Sequence, residues 1–411
     1  MKILIGLFAF SMGLPNLSFA NDEWLQWRGP NRDGMVKGAE WPDKLTEDNL
    51  TKLWNLELDK GYPGPLITGD SVLVVETADA KEEVVRSLKR DSGKEQWEAR
   101  WEGSMKVPFF AAKNGSWVRS TPASDGERIY VGGMKDRLVA VNIADGDIAW
   151  DIDFMEREST PVPAFGFASS PLVDGDAVYV LAGCAVTKVN AKTGETIWRA
   201  LEDKRAMYGS AFSSPVIATI CGKRQLVAQT RSTLAGIDLE SGEVLWSYEV
   251  KAFRNMNILT PTVIGDQVFT ATYGGGSSLF EVRKSADGLA VEKLWGTKTE
   301  GYMSSPIAIG DYIYLHGRDK KLRCISLETG RETWVSDEKF GEYWSSVSNG
   351  SKILALDSDG ELILLNANPK EMEVLGRVKV SPDSPTWAHL AVSGDELFVR
   401  DLTGVTAYRW K

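Results

Sequence analysis

The most constraining feature of this chain is a spacing. A glycine is followed four residues later by a tryptophan at Gly93/Trp97, Gly146/Trp150, Gly194/Trp198, Gly242/Trp246 and Gly330/Trp334. Six residues before each glycine stands a mostly small residue (Ser87, Ala140, Lys188, Gly236, Cys324), and the next position is always apolar (Leu88, Val141, Val189, Ile237, Ile325). A second signature is interleaved with the first: Ser/Thr-Pro, an apolar run, a Gly-Asp or Asp-Gly turn, then alternating β-branched and aromatic residues. It occurs at Thr121-Pro122, Ser170-Pro171, Ser214-Pro215, Thr260-Pro261 and Ser305-Pro306, with Gly64-Pro65 as a variant. Ser346-Val347 and Ala388-His389 continue the series without proline, making eight copies.

From Pro65 to Pro306 the steps are 57, 49, 44, 46 and 45 residues, a period that suits four short strands and three turns. Alternation within the copies, as in Ala177-Val178-Tyr179-Val180-Leu181, has the two-residue period of strands and not the 3.6-residue period of helical repeats. The expected fold is therefore all-β, an eight-bladed β-propeller of four-stranded antiparallel blades. Proline can open each inner strand because the N–H it lacks falls outside the ladder. The glycine supplies positive φ in a tight turn, and the tryptophan wedges between blades. Docking roles are expected for Trp54, Trp97, Trp150, Trp198, Trp246, Trp295 and Trp334.

The eighth copy, 387–410, ends before a fourth strand, whereas Leu53-Trp54-Asn55-Leu56 is a strand with no copy of its own. Pairing of this segment with the strand around Tyr408 would close the ring and remove an open edge. Two copies are irregular. The fifth carries Gly274-Gly275-Gly276 and reaches Trp295 seven residues after Gly288, and the seventh has Asn368-Pro369 and Leu375 in place of glycine and tryptophan. Both read as drift. The triple glycine lacks the lysine and following helix of a phosphate loop.

Met1-Lys2, the apolar run 3–10 and the small residues at Ser18 and Ala20 read as a cleaved signal peptide over 1–20. Residues 21–51 then form a lead-in and 52–411 the propeller. A leader without a lipid-anchor cysteine predicts a periplasmic or secreted protein with no membrane insertion. A formal charge of −10 argues against nucleic acid as a partner. His316 and His389 are the only two histidines and lie too far apart for a local zinc motif, so no metal site and no catalytic residue are expected. Cys184, Cys221 and Cys324 contain no CxxC and read as small buried hydrophobes. A monomer is expected.

These repeats closely resemble the tryptophan-docking units of the pyrroloquinoline quinone (PQQ)-like β-propeller family. Quinoprotein alcohol and glucose dehydrogenases share these units with non-enzymatic propellers such as the outer-membrane barrel-assembly lipoprotein. The segment Trp24-Leu25-Gln26-Trp27-Arg28-Gly29-Pro30-Asn31-Arg32-Asp33-Gly34, with Trp41-Pro42, resembles the lead-in of secreted PQQ-like propellers of planctomycete-type bacteria, where it is expected to cap the ring. For the enzymes, the resemblance implies PQQ held between a tryptophan and a disulfide of adjacent cysteines, a calcium held by acidic and amide side chains, and an aspartate base. This chain has no adjacent cysteines and no CxxCH haem site, and it is shorter than typical dehydrogenases. The expectation is a non-catalytic binding or scaffolding module with no cofactor. The alternatives are a PQQ- and calcium-dependent dehydrogenase of alcohols or sugars and, less favoured, an outer-membrane protein assembly factor.

The segments joining each fourth strand to the next inner strand should surround one channel mouth, and every one carries an aromatic residue: Tyr62; Phe109, Phe110 and Trp117; Phe165 and Phe167; Tyr208 and Phe212; Phe253; Tyr302; Tyr343 and Trp344; Trp387. Arg119, Arg205, Arg254 and Glu342 are interspersed. Such a ring suits a protein, peptide or polymer ligand. The residues expected to meet it are Trp117, Arg119, Tyr208, Arg254, Tyr302, Tyr343, Trp344, Trp387 and His389.

Overall fold

The computed structural model describes residues 23–411 apart from 39, 110–111, 113–114 and 204–210, so the leader over 1–20 and the candidate Tyr208 lie outside the described residues. Thirty-two strands, β1 (Leu50–Glu57) to β32 (Gly404–Trp410), form eight four-stranded antiparallel sheets. Blades 1 to 7 occupy 66–102, 123–153, 172–200, 216–249, 262–297, 307–335 and 344–379. In blade 8, β30 (Ala391–Ser393), β31 (Glu396–Arg400) and β32 are completed by β1. Lys52 stands opposite Tyr408 and Trp54 opposite Ala407, so the two ends of the chain close the ring.

The repeated glycine and tryptophan serve different joints. Each glycine receives the indole of the preceding blade: a Cβ at Gly93, Gly146, Gly194, Gly242 or Gly330 would stand 2.6 to 2.9 Å from the rings of Trp54, Trp97, Trp150, Trp198 and Trp295. The same indoles, with Trp334, donate their N–H at 2.7 to 3.0 Å to a backbone carbonyl of the next blade. Trp246 is the exception. In blade 5 the hairpin of β20 (Gly276–Ser285) and β21 (Gly288–Thr297) is extended, Gly288 sits at its tip, and Trp246 bonds Gln225 Oε1 of its own blade at 2.6 Å.

The seventh copy is not drift. The register puts Gly376, opposite Leu364, where the repeat places tryptophan, and not Leu375, which sits in the adjacent bulge; Leu45 of the lead-in forms a bridge to Gly376, and Leu375 packs against the same core cluster. A Cβ at Gly376 would lie 2.0 Å from the Leu45 carbonyl oxygen. Trp41 covers Trp410 at 5.3 Å between ring centres. The lead-in thus fills the joint that the missing indole leaves.

The serine or threonine of four of the five Ser/Thr-Pro motifs joins inner strands. Thr121, Ser214, Thr260 and Ser305 accept, through their hydroxyl oxygens, the backbone N–H of Gly64, Ser170, Ser214 and Thr260 respectively, at 2.9 to 3.2 Å. Each bond runs from one blade to the next. Cys184, Cys221 and Cys324 are all free, with Cys324 buried and the other two partly exposed. Among the described residues, no helix is long and apolar enough to cross a membrane.

Candidate binding funnel on the channel axis

Residues 23–36 run through the channel rather than over its rim. Trp24 pairs with Ile67 of blade 1 through two backbone hydrogen bonds, Leu25 accepts from Ser124 of blade 2, and the Gln26 amide bonds both backbone groups of Val173 in blade 3. Gly34 and Val36 then pair with Ser348 of blade 7. Between these anchors Arg28 and Arg32, 1% and 2% exposed, donate to carbonyls that the Ser/Thr-Pro motifs turn inward: Arg28 to Pro306, Arg32 to Pro171 and Ser170. Buried charge is costly unless it is solvated by other groups, and here inward-facing carbonyl dipoles do that. Burial still lowers both guanidiniums, to about 10 for Arg28 and about 9 for Arg32. They remain charged at neutral pH. Their planes flank the Trp27 ring at 5.6 and 5.7 Å.

This segment divides the channel. On one side Trp27 forms part of the floor of a cavity of about 460 Å³. On the other, Gln26, Arg28, Arg32 and Asp33 line a second cavity of about 590 Å³, together with inner strands of blades 3 to 6.

The first cavity opens where fourth strands lead into inner strands. Six of the expected residues line it: Arg119, Arg254, Tyr302, Tyr343, Trp387 and His389. Tyr343 and Trp387 stack at 6.0 Å, Trp387 meets Tyr62 at 5.6 Å, and Arg119 lies over Tyr62 at 5.6 Å. Opposite them Phe253, Tyr273 and Tyr302 form a run with contacts of 4.8 and 5.6 Å, and Phe165 meets Phe212 at 5.4 Å. The Ser/Thr hydroxyl groups at 121, 170, 214, 260 and 305 form a lower tier.

Two expected residues stand elsewhere. Trp344 is 3% exposed, stacked on His316 at 5.7 Å and edge-on to Phe340 at 4.8 Å, in the core between blades 6 and 7. The seventh inner strand has no proline to mark its start, and β26 (Trp344–Ser348) begins at the indole itself. Trp117 packs behind Tyr62 at 5.9 Å, with the Lys60 ammonium 5.1 Å above its ring.

Sequence reasoning missed two aromatic contributors. Trp27 belongs to the lead-in, which occurs once and carries no periodic signal. Tyr273 lies on the turn between the second and third strands of blade 5. In an up-and-down blade those turns share a face with the fourth-to-first connections, and that parity was the available signal. The triple glycine beside Tyr273 is a packing solution: a Cβ at Gly275 would stand 2.0 Å from the Lys251 carbonyl oxygen.

Electrostatically the funnel differs from the chain as a whole. About one residue in seven is acidic, yet no Asp, Glu, Asn or Gln lines the cavity among the described residues. His389 is 5% exposed, and burial, reinforced by Arg28, pulls its imidazole down to about 3. Its Nδ1 lies 2.9 Å from the Leu390 carbonyl oxygen. A neutral, buried ring held between Trp24 and Trp27 serves packing rather than proton transfer. Among the described residues no group of three or more His, Cys, Asp or Glu is gathered as a metal site would need. A calcium ion takes six to eight oxygen ligands with carboxylates prominent among them, and the funnel side chains do not fit that set.

A family profile described as outer membrane protein assembly factor BamB matches residues 80–336. Among curated relatives, the assembly factor BamB of Yersinia pestis is 21% identical over 383 residues, covering 89% of this chain and 88% of its own length. That of Escherichia coli K12 is 22% identical over 363 residues, with 82% and 83% covered. Among solved structures, BamB from Moraxella catarrhalis superposes with a TM-score of 0.64 at 16% identity, covering 88% of this chain and 98% of that one. The quinohemoprotein alcohol dehydrogenase of Comamonas testosteroni gives 0.62 at 11% identity, with 94% and 80% covered, so the ring itself does not separate binder from enzyme. The matched profile spans more than half of the sequence, and the chain belongs to this BamB-type family of PQQ-like propellers.

Proposed function

We propose that this protein is an exported, non-catalytic binding or scaffolding module, and that its ligand is a protein or peptide held in the aromatic funnel. Membership of a family described by an assembly factor supports a binding role in the cell envelope, the sense in which its relatives are named. The observation that carries the reading is the funnel: a cavity of about 460 Å³, walled by aromatic rings, closed below by Trp27 and open above. Aromatic walls bury large apolar area at low conformational cost, as recognition surfaces require. Among the described residues, with His316 and His389 both lowered well below neutrality and no carboxylate at the lining, the side chains offer no acid–base pair.

The quinone-dependent dehydrogenase is the reading this proposal sets aside, because the donor set does not suit a calcium-held quinone. Two titrations on the full chain decide between them. Peptide binding that falls at least tenfold in Trp387→Ala, with no dye-linked alcohol or sugar oxidation after incubation with PQQ and calcium, supports the module. Stoichiometric PQQ binding with turnover overturns it.

A further inference from the structure

Among the described residues, the funnel's charged side chains are all cationic. Its guanidiniums, Arg119 and Arg254, can only donate. The hydroxyl oxygens of Thr121, Ser214, Thr260 and Ser305 each accept a backbone N–H of the neighbouring blade, which leaves each its O–H and one lone pair for a ligand. The Tyr273 oxygen already accepts from Arg318 at 3.2 Å, and burial raises the phenols of Tyr62, Tyr302 and Tyr343, the last to about 12, keeping their protons in place. Among the described residues, no Asp, Glu, Asn or Gln side chain lines the cavity.

Such a lining discriminates between ligand chemistries. A basic peptide presents ammonium groups that need anions, and the described lining side chains supply none; a neutral sugar can bond the hydroxyls but brings no charge to the guanidiniums. A carboxylate finds both charge and donors. Arg119 stands ready for it: its Nη2 donates to the Gly115 carbonyl at 2.7 Å, its plane rests on Tyr62 at 5.6 Å, and no ion pair engages it among the described residues. Phe165, Phe212, Phe253, Met256 and Met303 supply apolar walls for ring or aliphatic side chains, methionine adapting its shape to either.

Resting on the binding reading above, we propose that the funnel recognises an acidic peptide, with carboxylates on Arg119 and Arg254 and apolar side chains against the aromatic walls. The test is calorimetric titration of the full chain with acetyl-Asp-Phe-Asp-Phe-Asp-Phe-amide, its Asn isostere and its Lys counterpart, in about 20 mM and about 500 mM salt. The acidic peptide is expected to bind about tenfold or more tighter than the Asn peptide, with the gap narrowing at high salt, as charge-assisted hydrogen bonds require. Arg119→Gln and Arg254→Gln should each shrink the acid-to-amide ratio while leaving the Asn peptide bound. Arg254 is exposed, so its variant reads out recognition without burdening the fold. Equal binding of acid and amide, preference for the Lys peptide, or tighter binding of an oligogalacturonate overturns the acidic-peptide assignment. If acid and amide bind equally but both are lost in Trp387→Ala, the funnel stands and only its charge selectivity falls. If no peptide's binding responds to Trp387→Ala, the funnel reading falls with it.

Discussion

At Gly194 two constraints coincide: the backbone is left-handed at φ 71°, and a Cβ would meet the Trp150 ring at 2.9 Å. Gly175 has a comparable φ of 56° with nothing within 4 Å. Gly175→Ala should therefore cost only the conformational penalty, about 1 kcal/mol, while Gly194→Ala adds overpacking of about 1–3 kcal/mol. Denaturant unfolding of both variants checks this, and equal losses would show that the indole does not constrain the turn. The two tryptophans expected to act together at the rim should also separate. Trp344→Ala opens a core cavity and should lose about 3–5 kcal/mol, whereas Trp387→Ala on the half-buried rim should lose far less stability and most of the ligand capture. The histidines give a pH signature. Burial lowers His316 to about 4 and His389 to about 3, while in the unfolded chain both protonate near 6.5. Their contribution to stability is complete above 6.5 and is lost as pH falls, down to about 4 for His316 and about 3 for His389. Proton NMR should show neither imidazole titrating between pH 8 and 5; a midpoint near 6.5 for either would contradict their burial.

At the scale of elements, the inter-blade hydroxyl bonds and the channel segment do different work. Ser214 both accepts from Ser170 and donates its own N–H to Thr260, so Ser214→Ala should cost about 1 kcal/mol by leaving the Ser170 N–H unpaired. Arg32→Met should cost more, about 2–4 kcal/mol, because two carbonyls, those of Pro171 and Ser170, lose a buried charged donor. Thermal unfolding ranks the two. This contrast also explains what could be read in advance. Trp54, Gly194 and the Ser/Thr-Pro pairs recur, and a residue written in copy after copy exposes its geometry through its spacing. Arg28, Arg32 and Trp27 are written once, so nothing in their spacing tells a cap from a plug. Trp344 was misplaced for a related reason, since the seventh copy lacks the proline that dates the start of its strand. The positions of rim residues followed from the blade period, but their mutual contacts depend on loop paths that obey no repeat.

For the whole molecule, the chain's two ends are one structural unit. Without β1, the strand β32 would present seven residues of open edge, and the lead-in would no longer fill the channel or the joint beside Leu375. Deleting residues 21–60 should abolish soluble expression, and a stable truncated monomer would refute closure as the source of stability. Closure also sets which face carries the aromatic mouth, because the inserted segment makes Trp27 its floor. The account stands or falls on that mouth being where a partner docks. The direct measurement places the photo-crosslinker p-benzoylphenylalanine at Tyr302 on the rim, or at Val244 on an outer strand edge, and irradiates intact cells expressing the protein. Discrete adducts from position 302 that vanish in Trp387→Ala, with none from 244, are predicted. Adducts from 244 alone, or adducts from 302 indifferent to Trp387, would contradict the central claim.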